Sequence, residues 1–224
     1  MDSFAVGHLN KVRRSDRASY DHAAIHGVLD EGLLAHVGFM DGGRPIVLPM
    51  AYGRIGNRLY LHGAKAARFA KAMGPGVPVC ITVTLLDALV VGRSAFHNSM
   101  NYRSVVVHGT ARRVEEPSEA EAALTAITDH LLPGRWAEAR PMTEKELRST
   151  SVLRVEIEAA SMKARSGLPV DEEEDYALAI WGGVVPMRLQ PKPPQDDGLL
   201  QPGVVVPASV EALWRRAGRN GDHG

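Results

Sequence analysis

The chain of 224 residues has one cysteine, Cys80. No internal disulfide can form, and the run Val79-Cys80-Ile81 gives the thiol a buried packing role. Net charge is missing as well. Lys and Arg together number 26, Asp and Glu together 26, and the pI is near 7.1. That balance argues against nucleic acid or an anionic membrane held by bulk charge. No uninterrupted apolar stretch reaches the ~18 residues of a membrane span. The first residues carry charges in place of a signal-peptide core. The expectation is a soluble, cytoplasmic protein with no nucleic-acid and no membrane partner. Catalytic signatures are absent too. There is no His-Glu-x-x-His, no paired-Cys spacing, no Gly-x-Ser-x-Gly elbow, no Gly-x-Gly-x-x-Gly and no Walker loop. Nine histidines are scattered from His8 to His223. Only His22 and His26 have a helical i, i+4 spacing fit for zinc, and nothing accompanies them. No metal site is expected.

What is present is turn-rich and apolar. Hydrophobic residues make up 45% of the chain, enough for one sizeable core, and 22 Gly with 14 Pro suit many short strands. Residues 22–30 read as a helix with Ile25, Val28 and Leu29 on one face, Asp21 as N-cap and Gly32 as C-cap. Strands are expected at 33–40, 45–52 and 59–62, with turns at Asp41-Gly42-Gly43 and at Ile55-Gly56-Asn57-Arg58. A long apolar run covers 77–91, and a strand covers 102–114. Helices are expected over 115–132 and 143–148, then a strand over 152–157. Residues 1–21 read as a basic wrapping arm, and about 171–224 as an extended C-terminal arm on a single domain. Within that arm the five acids 171–175 read as a solvated loop outside any site, and residues 210–216 as a terminal helix. Short antiparallel strands with inserted helices suggest a small closed barrel, mainly β with flanking helices.

Two stretches carry chemistry. In residues 57–72, the strand Leu59-Tyr60-Leu61 passes through His62-Gly63-Ala64 into a helix expected over 65–73. Lys65 and Arg68 fall in its first turn. Cations there oppose the helix dipole, so either a phosphate sits on the free N–H groups or the two side chains face water. The second stretch, residues 93–104, holds Arg93, His97, Asn98, Asn101, Tyr102, Arg103 and three serines. It is a surface excursion or one wall of a site.

Five segments carry a family resemblance. They are Ile46-Val47-Leu48-Pro49-Met50, then Leu59 to Ala64 with Arg68, then Ser94 to Ser104, then Pro133-Gly134-Arg135-Trp136, and the late Trp181-Gly182-Gly183-Val184-Val185-Pro186. In these the chain resembles the pyridoxamine 5′-phosphate oxidase-like superfamily of FMN-binding split barrels. Its branch is the flavin-nucleotide-binding one that includes the 5-nitroimidazole resistance proteins. The resemblance implies a six-stranded antiparallel split β-barrel, a homodimer, and FMN in a groove between subunits. It implies an oxidoreductase that reduces a small electrophile, nitroreductase-like. The alternative is a non-catalytic module, or one that binds haem or F420, with His97 or His36 as axial ligand to haem. It implies Arg68 and Lys65 on the flavin phosphate, and Val47, Leu48 and Pro49 as the strand facing the ring. His62, Gly63 and Ala64 would line the flavin, Arg103 and Ser104 would lie near ring and ribityl chain, and Trp181 and Arg188 would border the site. Three departures are visible. Ala67 stands where relatives often have Ser. His97-Asn98-Ser99 replaces His-His-Ser. Arg188-Leu189-Gln190-Pro191 replaces the oxidases' closing Arg-Leu-His-Asp-Arg, which argues against pyridoxamine phosphate oxidation.

Overall fold

A computed structural model describes residues 2–219, with side chains described through Arg215. His223 and the end of the expected C-terminal arm lie outside the described residues. In chain order the regular elements are β1 (Ala18–Ser19), α1 (His22–Glu31), β2 (Ala35–Asp41), β3 (Arg44–Met50), β4 (Tyr52–Ile55), β5 (Arg58–Ala64), α2 (Arg68–Met73), β6 (Val77–Val91), β7 (Ser99–Arg113), α3 (Pro117–Leu131), α4 (Arg135–Glu138), α5 (Glu144–Ser149), β8 (Thr150–Glu156), β9 (Ala159–Arg165), β10 (Gly183–Pro186) and α6 (Ala208–Arg219).

The main path of the sheet runs β3-β2-β6-β7-β8-β5-β4. Its two ends, β3 and β4, are separated in sequence only by Ala51, so the sheet must curl until its edges meet. An antiparallel split barrel results, mainly β with helices on its flanks, and β3 and β4 do not pair with each other. Ten described strands take part, against the six expected. Both arms add short strands: β1 pairs β9, and β10 pairs β6. The strand Ala159–Arg165 was not foreseen, because Ala and Ser blur its alternation. It pairs with β7 over seven residues.

Local chemistry explains the turns. Asp41 pairs with Arg44 across Gly42 and Gly43, whose φ of 56° and 75° fit a two-residue type I′ hairpin. Asp21 caps α1 by accepting from the Ala24 N–H at 2.8 Å. At the other end, the Gly32 N–H donates to the Val28 carbonyl. The buried Tyr52 hydroxyl lies 2.6 Å from the Leu29 carbonyl and 2.8 Å from that of Gly32, holding the last turn of α1 to the barrel. Burial raises the Tyr52 phenol well above its ordinary pKa.

The core shows the period of two. Val37, Ile81, Val107 and Ala160 stand side by side on β2, β6, β7 and β9, each 0% exposed. A second cluster, Tyr60, Ala123, Leu124, Ile127 and Val152, lies under α3. There Gly53 is required. A Cβ on it would lie 2.6 Å from the Ile127 nitrogen of α3, so only a glycine lets the helix backbone come so close. The N-terminal arm lies against the barrel. Phe4 stacks on His22 at 3.9 Å, and buried Asn10 donates to the Ala160 carbonyl at 3.0 Å.

Two expectations are corrected. The helix expected from Lys65 begins at Arg68. The Lys65 N–H is taken by the Ser149 carbonyl at 2.8 Å and the Ala67 N–H turns back to Ala64, so the chain cannot enter a helix until both bonds are made. Cys80 is half-buried on the outer face, because its neighbours Val79 and Ile81 take the core side of the pleat. Burial still raises its thiol pKa. No helix among the described residues is long and apolar enough to cross a membrane.

Candidate functional site

On either side of the core row the same strands turn two rows outward. Pro49, His36, Thr82, Val106 and Ser161 stand in register across five strands, and two residues along stand Val47, Gly38, Cys80, His108 and Ala159. Val47 is 62% exposed, and Met40, next on the same face of β2, is 57% exposed. Gly38 lies between them. A Cβ there would be 3.9 Å from Val47 Cγ2 and 3.3 Å from the Cys80 carbonyl oxygen, so its absence leaves a shallow trough floored by backbone. Two imidazoles border the trough, exposed His36 and half-buried His108, and neither has a hydrogen-bond partner among the described residues. An imidazole without a partner is a ready metal ligand or proton carrier. Neither Gly38 nor His108 was singled out from sequence. The signal was their outward register, which only strand pairing reveals.

Beyond the trough, the tip of the β2–β3 hairpin meets α2. β3 pairs only with β2, so its other edge is open. Pro45 and Pro49, which lack an N–H, suit such an edge. Of the expected trio, Val47 and Pro49 face outward, while Leu48 packs against the core. Arg68 opens α2 and is 67% exposed. Its guanidinium Nε donates to Asp41 at the hairpin tip, so β3 and Arg68 are brought together through a residue that sequence reasoning passed over. At the end of β5, a Cβ on Gly63 would lie 2.5 Å from the Phe69 ring, which fills that space instead. His62 and Ala64 are exposed on the other face. Surrounding protein nonetheless holds the His62 imidazole below the usual histidine pKa by desolvation. Lys65 does not join Arg68 in a helical turn.

Arg103 and Ser104 are neighbours in sequence and opposite in space. Ser104 faces outward, with its hydroxyl 3.0 Å from that of Thr84. Arg103 faces the other way and is gripped by two carboxylates. Glu31 at the end of α1 takes Nη1 and Nη2, and Asp87 takes Nε at 3.1 Å and Nη2 at 2.8 Å. The register of β6 against β7 shifts between Leu86 and Ala88, leaving Asp87 as an extra residue that meets Arg103. These carboxylates, Glu31 foremost, raise the Arg103 pKa further. Its donors are committed to a clasp between α1 and the barrel.

The acidic run is corrected as well. Asp171 has no exposed side-chain surface. It accepts from the Arg93 backbone N–H at 2.8 Å and from Arg93 Nη1 at 3.0 Å, and His97 Nδ1 lies 3.4 Å away. The Arg93 guanidinium also lies over the Tyr176 ring, 4.8 Å from its centroid. Residues 92–98 are thus bolted to the start of the C-terminal arm. Glu172, Glu173 and Glu174 remain exposed, as expected of a solvated loop. Beyond the bolt, Trp181 is 64% exposed, and Arg188 lies in the exposed arm just past β10.

Comparison with known proteins places the chain. The family described as pyridoxamine 5′-phosphate oxidase matches residues 21–164, and the chain belongs to that family. Among solved structures it is similar to a flavocytochrome from Azotobacter vinelandii, with 39% identity and a TM-score of 0.86 over 92% of this chain and 97% of that one. It is also similar to an FAD and haem binding protein from Mycobacterium smegmatis, with 35% identity and a TM-score of 0.83 over 88% and 97% of the two chains. A 5-nitroimidazole antibiotic resistance protein from Bacteroides thetaiotaomicron, described as putative, shares the fold at 23% identity, with a TM-score of 0.55 over 65% and 85%. No curated protein matches the chain.

Proposed function

We propose that this protein is a redox protein that holds a flavin nucleotide and a haem on the outer face of its barrel. The observation that carries the reading is the trough over Gly38, apolar along Val47 and Met40 and bordered by the unpaired imidazoles of His36 and His108. A flat, largely apolar ring system needs such a floor, and a haem iron needs such a donor. Two relatives that match nearly their whole length are a flavocytochrome and an FAD and haem binding protein, which supports both cofactors over FMN alone. His36, the more exposed of the two imidazoles, is the candidate axial ligand. His97 is the weaker choice, since its ring nitrogens lie 3.4 Å from Asp171 and 3.8 Å from Glu172.

When bound, a flavin would supply two-electron chemistry and a haem a one-electron centre. The chain's own residues hold and tune. Arg68 offers a planar fork to a phosphate, with Asp41 keeping it extended until a ligand competes. The open edge of β3 offers backbone groups to the ring, and His62, held neutral by its surroundings, can donate or accept one hydrogen bond beside it. A homodimer completes the site. The C-terminal arm leaves Leu189 86%, Leu199 80% and Val205 79% exposed, an apolar load that a second copy would cover.

Absorbance and size of the purified protein test this together. The expected result is a flavin band and a Soret band from a dimer in light scattering. His36→Ala should remove the Soret band and leave the flavin band. A colourless protein that takes up neither cofactor on reconstitution would overturn the reading. Retention of a normal haem spectrum in both His36→Ala and His108→Ala would overturn the axial assignment.

A further inference from the structure

The bolt between residues 92–98 and the C-terminal arm holds more ligand chemistry than an ion pair uses. His97, Asp171 and Asp175 each offer one ligand atom, and the three atoms lie within 4.8 Å of one another. Asp171 is the anchor. Its side chain has no exposed surface, and each of its oxygens accepts one N–H from Arg93. A carboxylate oxygen has two lone-pair sites, so one on each oxygen remains.

His97 supplies the nitrogen. Its Nδ1 is buried and has no hydrogen-bond partner, although Asp171 Oδ1 lies 3.4 Å away. That separation exceeds the ~2.9–3.0 Å that an N–H···O bond prefers. It matches the edge of a tetrahedron whose corners lie ~2.0–2.2 Å from a zinc ion, an edge of about 3.3–3.6 Å. Buried polar atoms are normally satisfied, so an orphan nitrogen at ligand spacing from a carboxylate calls for a cation. Gly92 makes the approach possible: a Cβ there would lie 2.6 Å from His97 Cβ and 2.9 Å from Asp171 Oδ1. On the far side of the ring, Glu172 stands 3.8 Å from Nε2, in the place of the acceptor that orients a ligating histidine.

Asp175 closes the triangle. It is half-buried in the short 3₁₀ turn Glu173–Ala177, and its carboxylate makes no hydrogen bond or ion pair among the described residues. The side chain is free to close the remaining gap. Local charge favours a cation too. Residues 171–175 carry five carboxylates, and Arg93 offsets one of them. One imidazole with two carboxylates suits zinc, with water at the fourth corner.

We propose that His97 Nδ1, Asp171 and Asp175 bind a zinc ion that locks residues 92–98 to the C-terminal arm. The assignment does not rest on the flavin and haem reading.

Thermal unfolding of the full-length protein, stripped with EDTA and titrated with Zn²⁺, tests it. Zinc at a hundredfold excess over its Kd should raise Tm by roughly 5–10 °C. It should also slow limited trypsin digestion of the 92–98 segment. Magnesium and calcium, which prefer oxygen ligands, should do far less. Asp175→Asn should leave the metal-free Tm unchanged, since that carboxylate has no protein partner, and should abolish both zinc effects. His97→Gln should abolish them as well. A zinc shift that survives Asp175→Asn, or that His22→Gln removes instead, would overturn the site. So would an equal shift with magnesium, or no shift with zinc at all.

Discussion

Two arginine–aspartate pairs hold this molecule at opposite extremes of burial. Arg68 meets Asp41 at a corner where the two side chains are 67% and 29% exposed, and Arg93 meets Asp171 where they are 22% and 0% exposed. The chemistry is the same, but water decides what each pair does. At the exposed corner the Coulomb gain is screened and hydration of each partner is cheap to restore. A phosphate can therefore displace Asp41 at little cost, and the pair is suited to binding. In the bolt Asp171 has given up its water and Arg93 most of its own, so loss of either partner strands the other. That pair is suited to holding the arm, and the arm carries Trp181 and Arg188.

The largest expected effect breaks the bolt. Asp171→Ala leaves the Arg93 guanidinium without its carboxylate and should lower Tm by several degrees while making the 92–98 segment a site of proteolysis. Thermal unfolding and limited trypsin digestion read both. An unchanged Tm would show that the pair is no tighter than the exposed one. Arg68→Ala should do the reverse: Tm stays within the error of measurement, but retention of a flavin nucleotide weakens by roughly 10- to 150-fold, the range for hydrogen bonds to a charged group. Riboflavin, which lacks the phosphate, should be affected far less. Equal losses for both ligands would remove the phosphate from Arg68.

A smaller effect concerns pH. His26, with Nε2 buried and unpaired, is held below its ordinary pKa, first by desolvation and then by the nearby Arg54 charge. The unfolded chain therefore takes up this proton at higher pH than the folded one. Stability should fall as pH drops below about 6.5. In a plot of Tm against pH, His26→Gln should flatten this limb; an identical slope in both proteins would count against it. The smallest effect sharpens the comparison inside the acidic run itself. Glu173→Ser with Glu174→Ser should leave Tm and cofactor retention unchanged, in contrast with Asp171 two residues away.

Much of the fold was legible. The caps of α1, the Gly42-Gly43 hairpin and the alternation of β8 are local chemistry, and local chemistry is written in neighbouring residues. The strand Ala159–Arg165 was illegible, since small residues tolerate either face and its place is set by β7 and β1. Arg68, His62, Val47 and Pro49 were legible as chemistry-bearing or edge positions, and each is exposed in the fold. What was not legible is that a one-residue step in the pleat sends Arg103 and Ser104 to opposite faces. The acidic run was misread at Asp171 because the partner that neutralises it lies 78 residues away.

By itself the sequence determined where the chain turns, which residues cap its helices, and which pleat positions are apolar enough to be buried, since each follows from one residue and its nearest neighbours. Only the tertiary structure decided which histidines share the trough over Gly38, which arginine is clamped and which is open, and that one acid of five is buried. Those outcomes depend on strand register and on water exclusion, and both are properties of segments brought together from distant parts of the chain.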